Sequence, residues 1–444
     1  MRVVFWSVTV LFIQTAVVPM PASVYAAVGV HAGPEASEAS EPSLVRLDDL
    51  LDDALAHNPE LVAARTRWEA AKQKIPLAKG LPAPRIGVEW EEIPRGSVKF
   101  NQAELMYQLI QSLPFPGKLS AKHQVAVKDA QVAAMAFKQA EWEVLSQVKA
   151  VYYDLFLVDR ELELQRQRLL WVTQAASAAQ ARYATGAAPQ AEVLRAQGEV
   201  LLAGNMLEVL AHRRLAMTAH VNHLLNRPAD RAIGRPAMLV LTDIPLTPEE
   251  LLLTAEAQQP ELLAFKFSAE RADAALTLAK RELLPDLETM IELRDPAMGP
   301  FGPWDLSLAL VLPFWFWTKM KYGVKAAVYD RTSAHAAYEA MHNEIARRIY
   351  EHWHQAEASY TTAKLCRDGL IPLSQQAVAS AMAAYQGGRT SFLDLLDAVQ
   401  QLTERKRLYY QQLVDVEQHL VMLEQAAGVS LRAPLPAAMV GGAS

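Results

Sequence analysis

The chain is written twice. His57-Asn58-Pro59-Glu60-Leu61 returns 201 positions later as Gln258-Gln259-Pro260-Glu261-Leu262. Leu113-Pro114-Phe115 returns 199 positions later as Leu312-Pro313-Phe314, and Tyr183-x-x-Gly186 returns 202 positions later as Tyr385-x-x-Gly388. Three markers in one order at nearly one offset define two copies of a single supersecondary unit, residues 46–245 and 246–430. Whatever the first copy folds into, the second must fold into as well.

Each copy reads as a helix, two strands, a very long helix, a turn and another long helix. The first helix starts near Leu47 and again near Thr247, where Thr247-Pro248-Glu249-Glu250 carries an N-cap with proline in the first turn. Pro84 and Pro285 close these helical stretches. Strand patterning follows at once. Ile86, Val88 and Trp90 alternate with Gly87, Glu89 and Glu91. Leu287, Thr289, Ile291 and Leu293 alternate with Glu288, Met290, Glu292 and Arg294, and Leu306, Leu308, Leu310 and Leu312 follow a loop holding Pro296, Gly299, Pro300, Gly302 and Pro303. One greasy and one polar face fits a strand between lipid and a watery lumen. Trp90, Trp304, Trp315 and Trp317 stand where an aromatic girdle would lie. A sheet packed on a soluble core satisfies the same alternation, and the pattern leaves both open.

The long helices follow a different period. Val144, Val148, Val151, Leu155, Val158, Leu162 and Leu169 step by fours and threes, interrupted at Gln165. Val399, Leu402, Tyr409, Leu413, Val416, Leu420 and Leu423 do the same, interrupted at Lys406. This is a coiled-coil seam. No proline or glycine occurs between Leu119 and Thr185, which predicts a helix roughly 100 Å long at about 1.5 Å per residue. The fold class expected is mostly α with a small β part. Four strands per chain cannot close a membrane barrel, which starts at about eight strands. If the strands sit in lipid, the chain must oligomerise to satisfy their edges.

The N-terminus reads as an address. Arg2 precedes an apolar run over residues 3–18, and Val24-Tyr25-Ala26 offers a small-residue cleavage point before Ala27. An uncleaved membrane anchor is the competing reading; Pro19 and Pro21 and the short run count against it. No cysteine follows the cleavage point to take a lipid. Residues 27–45 read as a flexible leader and 431–444 as a flexible tail. No later run of 18 apolar residues offers a transmembrane helix.

Composition narrows the function. A formal net charge of -6 gives no electrostatic footprint for nucleic acid. Only 19 glycines in 444 residues suit a helix-rich chain, and the single Cys366 excludes an internal disulfide or a multi-thiolate metal site. No Walker loop, G-x-G-x-x-G or G-x-S-x-G occurs, so no enzyme is expected. His335 and His342, and His352-Trp353-His354, lack the spacing of a zinc site, so neither a metal nor a cofactor is expected.

The duplicated layout, the Asn-Pro-Glu-Leu sequence and the two Tyr-x-x-Gly turns make residues 45–430 resemble the TolC family of outer-membrane efflux proteins. That resemblance implies a long α-helical coiled-coil barrel in the periplasm, joined to a transmembrane β-barrel of twelve strands completed by trimerisation. It implies a homotrimer embedded in outer-membrane lipid, a periplasmic adaptor protein and an inner-membrane pump as partners. The turns carrying Tyr183 and Gly186, and Gly387 and Gly388, are the adaptor-docking tips by that resemblance. Asp394 and Asp397, three residues apart on one helix face, match the acidic pair of the closed aperture. Taken alone they read as dipole-favourable acids in a first turn. The first copy has Glu192 and Arg195 at the matching places. Glu192 resembles an acid that locks the neighbouring turn, with Tyr385 and Arg389 as its partners; Arg389 stands one place earlier than the family's basic residue. The function implied is the exit duct of a tripartite pump for metal ions or drugs. Alternatives are a channel for type I protein secretion and a periplasmic coiled-coil scaffold without a channel.

Overall fold

The computed structural model describes residues 44–91, 104–244, 246–294, 304–313 and 320–431. The proposed signal segment, most of the leader, the tail beyond Leu431, Trp315, Trp317 and the turn-rich 296–303 loop lie outside these residues.

The two copies fold alike. The first holds α1 (Leu47–His57), α2 (Pro59–Leu77), β2 (Arg85–Glu91), β3 (Glu104–Leu113), α3 (Lys118–Ala184) and α4 (Gln190–Leu224). The second holds α5 (Pro248–Gln258), α6 (Pro260–Arg281), β5 (Asp286–Arg294), β6 (Trp304–Val311), α7 (Lys321–Leu365), α8 (Ile371–Gln386) and α9 (Phe392–Ala427). A short parallel pair, β1 (Leu44–Val45) with β4 (Arg235–Pro236), starts the described chain. Tyr152 fastens it: its hydroxyl accepts from the Ala237 amide at 3.0 Å and donates to the Val45 carbonyl at 3.3 Å.

The sequence led us to expect one helix ahead of each strand pair; the structure has two. Proline disfavours a helical conformation at the residue before it, and Asn58 (ψ 124°) and Gln259 (ψ 117°) are extended. Both then cap the next helix, Asn58 accepting from the Glu60 amide at 2.8 Å and Gln259 from the Leu262 amide at 2.6 Å. The same side chains reach the last helix of their own copy, Asn58 donating to the Leu224 carbonyl and Gln259 to the Gln425 carbonyl. Thr247 forms the expected N-cap, as a full capping box with Glu250.

α3 runs 67 residues without a break, about 100 Å at the standard rise. Its counterpart is interrupted by a wide turn, Cys366–Leu370, in which the Ile371 amide bonds to the Cys366 carbonyl. Pro372 follows, and a proline lacks the amide and crowds the carbonyl four residues back. Widening the helix by one residue accommodates it, and α8 continues to the same end point as α3.

The seams expected from the heptads are buried along most of their length, with Leu169 and Tyr409 only partly buried. Val144, Val148, Val151, Leu155 and Val158 line α3, and Leu413, Val416, Leu420 and Leu423 line α9. Gln165, the gap in the first seam, is also buried and satisfied, its amide donating to the Ala203 carbonyl at 3.0 Å. α3 packs against α4, α6 and α9, and α7 against α6 and α9.

The strands form one antiparallel sheet in the order β2-β3-β5-β6. Its register places Ile86 opposite Leu109, Leu109 opposite Ile291, and Ile291 opposite Leu306, so the apolar residues share one face. The other face carries Glu89, Gln108 and Glu292, where the Gln108 amide reaches both carboxylates. The greasy face is open: Ile86 is 82% exposed and Leu308 66%. A sheet laid on a soluble core would bury that face, so the lipid-facing alternative is the one this fold supports. Among the described residues, no helix is long and apolar enough to cross a membrane.

Candidate functional site

Two helical turns meet at the end of the helical body formed by α3, α4, α8 and α9. In each, a glycine takes the left-handed conformation that ends a helix without a Cβ penalty: Gly186 at φ 74° and Gly388 at φ 71°. The hydrogen bonds match as well. Gly186 bonds back to Tyr183 and Ala187 to Arg182, while Gly388 bonds back to Tyr385 and Arg389 to Ala384.

Small residues bring the four helices together. Ala175, Ala179 and Ala196 pack with Val378, Tyr385, Phe392, Leu395, Val399 and Leu402 in one buried cluster. Tyr385 is fully buried there, its ring edge-on to Phe392 at 6.2 Å. Its hydroxyl donates to Glu192 Oε1 at 2.7 Å. Burial first, and the bond to Glu192 second, push its phenol far above the usual value, so it stays protonated as the donor. Glu192 sits in the first turn of α4, where the helix dipole favours a negative charge.

The positive group at this junction is Arg182. Its guanidinium lies 4.9 Å from the Tyr385 ring centroid and donates to the carbonyls of Tyr385 and Ala187, at 3.4 and 3.5 Å. It therefore ties both turns. Arg389, which the sequence reading assigned to Glu192, makes no hydrogen bond or ion pair with Glu192 or Tyr385 among the described residues. It is exposed, with Nε 3.5 Å from where a Cβ on Gly387 would sit. Sequence reasoning missed Arg182 because a basic residue in the last turn of a helix is ordinarily explained by the dipole alone. Only its separation of 203 residues from Tyr385, closed by the fold, reveals the contact.

Tyr183 and Tyr385 occupy equivalent places yet differ: Tyr183 is 47% exposed and Tyr385 is 0% exposed. The tip thus presents one tyrosine outward and holds the other inside.

Asp394 and Asp397 are both exposed, on the side of α9 away from buried Phe392, Leu395 and Val399. Asp394 closes a capping box, accepting from the Ser391 amide at 3.1 Å, from Ser391 Oγ at 2.7 Å and from Thr390 Oγ1 at 2.7 Å. Those hydrogen bonds, Thr390's foremost, hold its carboxyl below the ordinary range. Asp397 accepts from Gln401 at 2.7 Å. Arg195, the first-copy counterpart of Asp397, is exposed. The arrangement ties two turns together and leaves the carboxylates of Asp394 and Asp397 exposed at the surface.

Comparison with known proteins agrees with this architecture. The model of the family described as outer membrane efflux protein matches residues 50–226 and 251–429, one stretch in each copy. The cobalt-zinc-cadmium resistance protein CzcC of Cupriavidus metallidurans is 22% identical over 378 residues, covering 84% of this chain and 87% of CzcC. The outer membrane efflux protein BepC of Brucella suis is 22% identical over 366 residues, covering 79% of this chain and 78% of BepC. The crystal structure of the outer membrane protein VceC from Vibrio cholerae superposes with a TM-score of 0.75 at 17% identity, covering 87% of this chain and 97% of VceC. A duplicated chain of helical hairpins and strand pairs, matched by the family model in both halves, belongs to the outer membrane efflux protein family.

Proposed function

We propose that this chain is the outer-membrane exit duct of a tripartite efflux system, passively conducting small solutes delivered by an inner-membrane pump through a periplasmic adaptor. The observation that carries this reading is a four-stranded sheet with an open apolar face, joined to helices about 100 Å long that end in a tied pair of turns. Among the described residues the sheet leaves β2 and β6 unpaired at its edges, a state that lipid penalises strongly. Three copies would supply twelve strands, enough to close a barrel. α4 carries a matching unpartnered stripe, with Leu194, Leu201, Leu202, Val209 and Leu215 exposed, for a neighbouring copy to cover.

In this reading the turns at Tyr183 and Gly186, and at Gly387 and Gly388, meet the adaptor. The Tyr385–Glu192 bond, backed by Arg182, holds the resting aperture shut. Asp394 and Asp397 of three chains form carboxylate rings that bind cations. The resemblance to CzcC, a cobalt-zinc-cadmium resistance protein by name, favours metal ions over drugs as cargo. Deleting the chain from its host tests this: cells should lose tolerance to cobalt or zinc and regain it when the chain is restored. Unchanged tolerance to metals together with lost tolerance to drugs would move the cargo to the drug class, and a failure to export a protein would point to type I secretion.

A further inference from the structure

The four junctions between helix and strand lie at one end of the four-stranded sheet. The register sets Arg85 opposite Ile110, Leu113 opposite Leu287 and Asp286 opposite Val311. The helices keep that order, with α2 packing on α3, α3 on α6 and α6 on α7. The segments that make these junctions, residues 74–85, 114–125, 280–286 and 320–326, hold nine lysines and arginines against two acids, Glu282 and Asp286. The whole chain carries a net charge of -6, so basic charge gathers here against the overall balance.

Three of the nine are taken up within the fold. Lys118 Nζ donates to Asp286 Oδ1 and to the Leu284 carbonyl, both at 2.7 Å. Arg281 donates to the Gly117 carbonyl, and a Cβ on Gly117 would lie 2.6 Å from the Arg281 guanidinium. Arg85 pairs with Glu288 on the polar face of the sheet. The other six, Lys74, Lys79, Lys122, Lys280, Lys321 and Lys325, are exposed and form no ion pair among the described residues.

Apolar side chains stand exposed among them. Leu77 follows Lys74 by three residues, on the same helix face. Leu81 follows Lys79, and Leu283 and Leu284 follow Lys280. Lys325 Nζ lies 5.8 Å from the centroid of the Tyr322 ring. Leu77 is 76% exposed and Tyr322 65%. At a membrane surface such a mixture is favourable on both counts: leucine and tyrosine sink below the headgroups while lysine extends its ammonium up to them. The depth agrees. β3 has 10 residues, and at about 3.4 Å per residue and a tilt of about 40° it rises roughly 25 Å, the height of the apolar band of an outer-membrane barrel. The sheet end that carries the lysines therefore falls at the headgroups, on the side where the helices leave the membrane.

We propose that the six lysines form a collar that binds anionic phospholipid headgroups in the periplasmic leaflet of the outer membrane. A cluster of unpaired ammonium groups beside buried leucine attracts a headgroup of net negative charge and gains little from a zwitterionic one. The collar thereby sets the depth of the sheet in the bilayer, since shifting it either way parts the lysines from phosphate or the leucines from the acyl chains. The proposal rests on the sheet's placement in the outer membrane, and not on what passes through the duct.

The test reconstitutes the purified full-length protein in phosphatidylcholine vesicles at low ionic strength. Electron spin resonance then measures how strongly spin-labelled phosphatidylglycerol and spin-labelled phosphatidylcholine associate with it. Phosphatidylglycerol should associate roughly threefold more strongly, with the preference vanishing in about 1 M salt, where the screening length is about 3 Å. Lys79→Gln, Lys280→Gln and Lys321→Gln together should abolish most of the preference, and arginine at the same three positions should keep it. Removing three charges elsewhere, by Arg195→Gln, Arg389→Gln and Lys406→Gln together, should leave it unchanged. Equal association of the two lipids with the wild-type protein would overturn the collar, as would a preference that survives the three glutamines at the junctions. Either outcome leaves the duct reading standing, because lipid is still immobilised against the sheet. No immobilised lipid of either kind would overturn both the collar and the membrane placement beneath it.

Discussion

The hydroxyl of Tyr385 donates a 2.7 Å hydrogen bond to Glu192, joining the α8–α9 turn to the α3–α4 turn across 193 residues of sequence. A hydrogen bond to a charged acceptor contributes about 1.5–3 kcal/mol, and this one is sheltered by a fully buried ring. If three tips move together, the contributions of three chains bias one equilibrium. Tyr385→Phe should therefore raise the resting conductance of the purified oligomer in planar bilayers without loss of assembly. Arg182→Ala should do so as well, because its guanidinium holds both turns. Arg389→Ser should leave conductance at the wild-type level. A conductance change with Arg389→Ser alone would relocate the lock.

Asp394 and Asp397 separate two roles that spacing alone merges. Asp394 caps α9, whereas Asp397 accepts a hydrogen bond from Gln401 one turn on. Asp397→Asn should weaken block by a trivalent cation in bilayer recordings and leave the melting temperature unchanged. Asp394→Asn should weaken block and also lower the melting temperature.

The pH dependence of that second effect has a definite sign. The carboxyl of Asp394 is held below its ordinary range in the folded chain, so its contribution to stability is complete above the unfolded value near 4. It is lost as the pH falls through the lower folded value. Thermal melts should thus separate wild type from Asp394→Asn at pH 7 and bring them together in strongly acidic solution. A gap that widens on acidification would contradict the capping role.

Lys149 and Glu424 form a buried ion pair between α3 and α9, with side chains only 10% and 5% exposed. Glu424 also accepts from the Leu431 amide at 2.7 Å. Removing one partner of a buried pair leaves an uncompensated charge and costs about 3–5 kcal/mol. Lys149→Met should therefore lower stability sharply in denaturant unfolding, and Lys149→Met with Glu424→Leu should recover much of the loss.

The repeat, the strands and the long helices were legible because each rests on a local period: two for the sheet, three and four for the seams. The break at Asn58-Pro59 was also written in the sequence, since proline restrains the residue before it, but helical periodicity on both sides masked it. The wide turn before Pro372 has a different proline cause: Ile371 stays helical, and the missing amide and crowded carbonyl are accommodated by widening the helix. Arg182 was not legible, because its partners Tyr385 and Ala187 are joined to it by packing of separate helices and by a turn. The β1–β4 pair was too short to show any period. The differing burial of Tyr183 and Tyr385 lies beyond any local signal, since the two turns share their hydrogen bonds and differ in what the tertiary fold lays over them.

The sheet faces give a paired prediction. Leu308 lies on the open apolar face and Ser307 on the opposite one, facing Met290 in register. An arginine near the membrane midplane on the lipid face of a barrel costs about 2–4 kcal/mol, whereas lumen positions tolerate charge. Leu308→Arg should reduce the amount recovered in the outer-membrane fraction, and Ser307→Arg should not. Equal recovery would show that this face does not meet lipid.

The number of chains in the assembly tests the central claim most directly, because among the described residues the larger sheet has four strands, with β2 and β6 at its edges. Native mass spectrometry of the complex extracted from the outer membrane should find three chains. A monomer or a dimer as the membrane-embedded species would contradict the duct.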